Sequence, residues 1–247
     1  MSVDIGNAIQ KGLEKGFQRD SAILMGIFFA VSVVSQVMGD TLVKNLSESG
    51  NLGANQAFSQ ITLEQLAPLA VNLPTGVAAV GGILTGLISL TVTVGTIRMF
   101  LNEDVKLEAG YFTDNILWIL ANVVAGGLLF SLALTAGFIA FVIPGIFLFA
   151  SLFFWSFYVI DKDMNLFEAM KTAWNDTKGN RLSTFGLLLI VFIGNAVFAT
   201  VIGGTTSFIG TMAGGIAFGS VLGLLPSAVA VVFTWAIFTE GYKQLSE

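Results

Sequence analysis

The sequence predicts an all-α polytopic membrane protein of six transmembrane helices, with amphipathic helices lying in the interface on the cytoplasmic side. Three observations predict it. No charged residue lies in 21–39, 65–97, 115–160 or 182–239, and an apolar helix crosses the hydrocarbon with about 20 residues. The last run is therefore read as two spans and a turn, placed at Gly203 and Gly204 or within Gly210 to Gly215. The chain is also 55% hydrophobic and 11% charged, with a mean hydropathy of +0.84, against roughly 25% charged residues in a soluble domain. Finally, with six spans, Lys11, Lys15, Arg19, Arg98, Lys106, Lys162, Lys171, Lys178, Arg181 and Lys243 share one side, and Lys44 alone lies on the other. The positive-inside bias then puts both termini on the cytoplasmic side of the cell membrane.

The 247 residues are read as one transmembrane domain, too short for six spans and a separate catalytic domain. Residues 4–19 gather Ile5, Ala8, Ile9, Gly12, Leu13, Gly16 and Phe17 on one helical face, opposite Lys11, Glu14, Lys15 and Gln18. That pattern predicts a helix in the membrane interface. Span one is 21–39, closing at Gly39–Asp40 before an external loop over 40–74. The loop carries a sequon, Asn45-Leu46-Ser47, and a capping-box pattern, Thr62-Leu63-Glu64-Gln65, before a short helix. Pro68 and Pro74 disfavour helix in the residues before them, which starts span two near 75 and runs it to 99.

Spans three and four, 115–141 and 144–160, are expected to part at Pro144 and Gly145. A second interfacial helix follows over 165–178, with Leu166, Met170, Ala173, Trp174 and Thr177 opposite Glu168, Lys171, Asn175, Asp176 and Lys178. Spans five and six are 182–203 and 215–239, the latter kinked at Pro226. An interfacial helix followed by a hairpin thus recurs, with Leu107 to Phe112 as the middle copy of a threefold repeat. Tyr111, Trp118, Trp155, Tyr158, Trp174, Trp235 and Tyr242 all fall on one side, as an interfacial aromatic belt would.

Chemistry is bounded by what is missing. The chain has neither cysteine nor histidine, which removes disulfides, thiolates, the commonest metal ligand and the commonest general base. No enzyme, metal or cofactor is expected. The charge-free runs hold no Asp, Glu, Lys or Arg, so ion-coupled transport falls behind other functions. Thr91, Thr93, Asn122 and Asn195 are the polar residues of interest, as interhelical hydrogen bonds or as the lining of a polar cavity. Gly82 and Gly86 in span two, and Gly215, Gly219 and Gly223 in span six, draw grooves for close helix packing. Acidic residues outnumber basic ones on the cytoplasmic side, so no nucleic-acid partner is expected. Membrane lipids, another membrane protein or a second copy of the chain are the expected partners.

Ile143-Pro144-Gly145-Ile146-Phe147, then Asp161-Lys162, Glu168-Ala169-Met170, Trp174, Thr177-Lys178-Gly179-Asn180-Arg181 and Phe185-Gly186-Leu187, resemble a family of six-span membrane proteins of unknown function. That family is abundant in haloarchaea and is related to the membrane domain beside some bacterial glycerophosphodiester phosphodiesterases. The resemblance is clearest over 141–192. It implies a six-span architecture in an archaeal membrane, and no catalytic residues. Two functions fit the sequence: a non-enzymatic module that organises lipid or binds a partner, and a permease or channel for a neutral or lipid-like solute.

Overall fold

A computed structural model describes residues 3–49 and 62–246, and these are all-helical, with no strand among them. In chain order the helices are α1 (Ile5–Gly16), α2 (Arg19–Glu48), α3 (Leu63–Leu66), α4 (Thr75–Leu101), α5 (Gly110–Thr113), α6 (Ile116–Ala140), α7 (Val142–Leu152), α8 (Trp155–Lys162), α9 (Leu166–Asp176), α10 (Arg181–Phe198) and α11 (Gly204–Ser246). A π-helical turn, Ala199–Gly203, joins the last two. Among the described residues five stretches are long and apolar enough to cross a membrane: Arg19–Glu48, Thr75–Leu101, Ile116–Ala140, Val142–Lys162 and the 66-residue Arg181–Ser246.

Several boundaries differ from the sequence reading, each for a local reason. Helix α2 does not stop at Gly39 but runs through a buried Asp40. The Asp40 carboxylate accepts hydrogen bonds from Gln36 Nε2 at 2.6 Å and the Leu69 amide at 2.9 Å, so the acid is satisfied inside the helix. What was read as the start of the loop is therefore helix, and part of the rest, residues 50–61, lies outside the described residues. The capping box forms as its pattern expects, with the Gln65 amide donating to Thr62 Oγ1 and the Thr62 amide to Gln65 Oε1.

The break between spans three and four sits at Phe141, in extended conformation, rather than at Pro144 and Gly145. Pro144 falls in the first turn of α7, where no backbone donor is needed. Gly145 instead lets the hairpin close, since a Cβ at Gly137 would lie 3.1 Å from its Cα. Between α10 and α11 the helical path continues through Gly203 and Gly204 and breaks at Gly215, with φ 87° and ψ 176°. A Cβ at Gly210 would lie 2.8 Å from the Gly219 Cα, so the chain doubles back at Gly215.

Backbone packing divides the chain into two compact units. The first comprises 1–24, 91–195 and 232–247, the second 25–90 and 196–231. The core of the first is aromatic: Tyr158 and Tyr242 meet edge-on at 4.9 Å, as do Phe153 and Phe238. Trp155, Tyr158 and Tyr242 are buried in this core, so three of the seven residues expected in an interfacial belt are interior packing. The tyrosines tolerate burial because each hydroxyl donates to a carboxylate at 2.7 Å, Tyr158 to Asp176 and Tyr242 to Asp161. In the second unit Gly210, Gly219 and Gly223 let the segments on either side of Gly215 approach closely.

The two helices expected to lie in the interface pack lengthwise on protein. In α1 the small residues Ala8, Gly12 and Gly16 form a seam, and a Cβ at Gly12 would lie 2.6 Å from the Ile237 Cα on α11. Helix α9 begins where its Leu166 amide donates to Asn122 and ends where Thr177 donates to the Ser151 carbonyl, alongside α7 and α8. Of the segment expected to lead the middle copy of the repeat, Leu107 to Phe112, only the single turn α5 is helical.

Candidate functional site

Of the polar residues singled out from sequence, Asn122 and Asn195 hydrogen-bond separate partners. Asn122 is buried on α6, donating to the Trp118 carbonyl and accepting from the Leu166 amide at 2.9 Å, which caps the start of α9. Asn195 on α10 donates to Thr234 Oγ1 on α11 at 2.8 Å. Thr91 and Thr93 lie on α4. Gly82 and Gly86 face open space, whereas Gly219 and Gly223 pack against Ser207, and Gly215 is the break itself.

The structure assembles a charged cluster in the first unit that the sequence did not reveal. Lys15 of α1 and Glu240 of α11 are both buried, with Nζ 2.7 Å from Oε1. The same ammonium donates to the carbonyls of Phe100 at 2.7 Å and Asn102 at 3.0 Å, closing the end of α4 onto the other two helices. Glu240 Oε1 is held between two cations, with Lys15 Nζ at 2.7 Å and Lys243 Nζ at 3.8 Å. Lys243 also donates to Glu103, whose carboxyl is held below the ordinary carboxylate range chiefly by that hydrogen bond. The sequence reading put Lys15 on a solvated face. The usable signal was its position three residues after Gly12 and one before Gly16, inside the small-residue seam.

Arg98 is a second hub. Its guanidinium donates to the carbonyls of Asp114 at 2.7 Å, Tyr111 at 3.3 Å and Ile160 at 3.4 Å, pinning α4 to the entry of α6 and the end of α8. Beside it a cavity of about 370 Å³ is lined by Asn102, Tyr111, Asp114 and Asp161 among others. In the second unit a crevice of about 310 Å³ is lined by Ser32, Ser35, Gln36 and Ser89, with no charged side chain. No group of three metal-ligating side chains occurs among the described residues. These arrangements hold helices together and present polar crevices.

A family model described as a domain of unknown function, DUF7847, matches residues 3–245, so the chain belongs to that family. No curated protein and no solved structure matches the chain.

Proposed function

We propose that this member of the DUF7847 family is a non-enzymatic integral protein of the cell membrane that crosses the bilayer six times, with both termini in the cytoplasm. There it organises lipid, or docks another membrane protein or a second copy of itself. The observation that carries the reading is the apolar surface of the long helices. Ile83 is 65% exposed, Leu132 67% and Ile139 81%, a cost in water that hydrocarbon removes. Parity supports six crossings. The Asp4 amide donates to Gln244 Oε1 at 2.6 Å, which favours residues 4 and 244 on one side of the membrane and hence an even number of crossings. Five stretches are apolar enough to cross, and the fifth, 66 residues long, doubles back at Gly215. The resemblance to haloarchaeal six-span proteins favours an archaeal membrane and a relation to the domains beside glycerophosphodiester phosphodiesterases.

Vesicles reconstituted with the purified protein test the reading. Glycerol should leave them at the rate of protein-free vesicles, and lipid should remain bound to the protein through purification. Glycerol efflux well above the protein-free rate would overturn it. The permease for a neutral or lipid-like solute is the second reading, favoured by the uncharged hydroxyl and amide lining of the crevice at Ser32, Ser35, Gln36 and Ser89.

A further inference from the structure

Arg181 opens α10 after the turn at Gly179, and its guanidinium lies over two aromatic faces, 4.3 Å from the Phe147 centroid and 4.5 Å from that of Trp174. Ring faces attract a cation but take no hydrogen bond from the edge of the guanidinium. The Nε and Nη2 donors form the side-on pair that grips a carboxylate or phosphate with two parallel bonds. Both are buried, and neither has a hydrogen-bond partner. No Asp or Glu among the described residues pairs with Arg181 within the 4.0 Å of a salt bridge. The rings fix the guanidinium in place while its charge stays unanswered, an arrangement that selects for an anion from outside the chain.

The surroundings say which kind of anion. An apolar cavity of about 360 Å³ adjoins Arg181, lined by Ile143, Ile146, Phe147, Ala150, Leu182 and Phe185. Its rim is apolar as well, with Ile143 80% and Leu182 84% exposed. A free anion has no use for such walls. A phospholipid has both parts, a phosphate for the guanidinium edge and a chain for the cavity. We propose that Arg181, Phe147 and Trp174 with the adjoining cavity form a binding site for an anionic phospholipid, the phosphate on the Nε and Nη2 edge of Arg181 and one lipid chain between α7 and α10. The proposal rests on the reading of the chain as membrane-embedded and names one lipid class for it.

The test is native mass spectrometry of the full-length protein in detergent, titrated separately with phosphatidylglycerol and phosphatidylcholine. The wild-type protein should prefer phosphatidylglycerol at least tenfold. Arg181→Gln should bring the preference below twofold while phosphatidylcholine binding persists. Arg181→Lys keeps the charge but loses the side-on donors, and should lower the preference at least threefold. It serves if the glutamine variant fails to fold. Lys171→Gln, at an exposed charge elsewhere on the same unit, should change nothing. An unchanged preference in both Arg181 variants overturns the site, as does an equal loss in Lys171→Gln, which would mean diffuse attraction. Complete displacement of phosphatidylglycerol by millimolar inorganic phosphate would overturn the chain-binding half. Alkaline carbonate extraction separates the two ideas. Protein released into the supernatant would refute membrane embedding, whereas retained protein without lipid preference would refute this site alone.

Discussion

Replacing Lys15 by methionine keeps most of the length of the side chain and removes its charge, leaving Glu240 in place. In the native chain the Lys15 ammonium meets three acceptors, the Phe100 and Asn102 carbonyls and the Glu240 carboxylate. Both side chains are nearly enclosed, at 11% and 4% exposure. Breaking a buried pair from one side costs about 3–5 kcal/mol, because the surviving charge is left in a medium that solvates it poorly. Lys15→Met should fall in the upper half of that range, since the Phe100 carbonyl loses its ammonium donor and Glu240 keeps only Lys243 at 3.8 Å. Glu240→Gln should cost less, about 3 kcal/mol or under, because the ammonium retains two carbonyl acceptors. The double variant removes the stranded charge and should recover about 2 kcal/mol relative to the sum of the single variants. Reversible unfolding in mixed micelles of rising SDS fraction, followed by tryptophan fluorescence, measures all three. A Lys15→Met variant within about 1 kcal/mol of wild type would refute the reasoning, as would strictly additive single and double variants.

The seam on α1 predicts that Gly12→Leu, whose Cβ would lie 2.6 Å from the Ile237 backbone, detaches the helix and exposes the 5–16 segment to limited proteolysis. Gly219→Leu, with a Cβ 2.5 Å from the Ser207 carbonyl, should abolish folded yield, while Gly82→Leu, facing open space, should leave yield unchanged. Asn122→Ala strands the half-buried Leu166 amide and should cost about 1 kcal/mol in the same unfolding assay. Glu103, held below its ordinary range by Lys243, contributes stability that is present above the ordinary carboxylate pKa and lost as pH falls through the lowered one. It is well exposed, so Glu103→Gln should change stability by less than about 1 kcal/mol and flatten that acid limb.

The long helices were legible because a charge-free run is a statement about composition and needs no knowledge of neighbours. Which face of each helix turns inward was not. Val80 and Ile97 on α4 are equally apolar, yet Val80 is exposed and Ile97 buried, and a helix that is apolar all round carries no periodic signal to tell them apart. The periodic signal of α1 was read as one-sided, and its small residues Ala8, Gly12 and Gly16 suit close contact with a backbone, while Leu13 and Phe17 beside them stay exposed. Charge counting placed Glu240 at the end of a span and Lys15 on a solvated face. Their pairing across most of the chain's length is a tertiary fact with no local trace. Arg181 was legible only as a positive-inside residue. Its stacking on Phe147 depends on the break falling at Phe141, which sets where Phe147 points.

The six-span topology with both termini in the cytoplasm is tested most directly by cysteine accessibility, for which a chain without native cysteine needs no background removed. Single replacements at exposed positions, Lys11→Cys, Lys171→Cys, Glu48→Cys and Ala213→Cys, would be labelled with a membrane-impermeant maleimide on intact cells and on inverted vesicles. The account predicts that positions 48 and 213 react only from outside, and positions 11 and 171 only in inverted vesicles. Position 213 reacting on the same side as position 11 would leave Arg181–Ser246 without two crossings and contradict it.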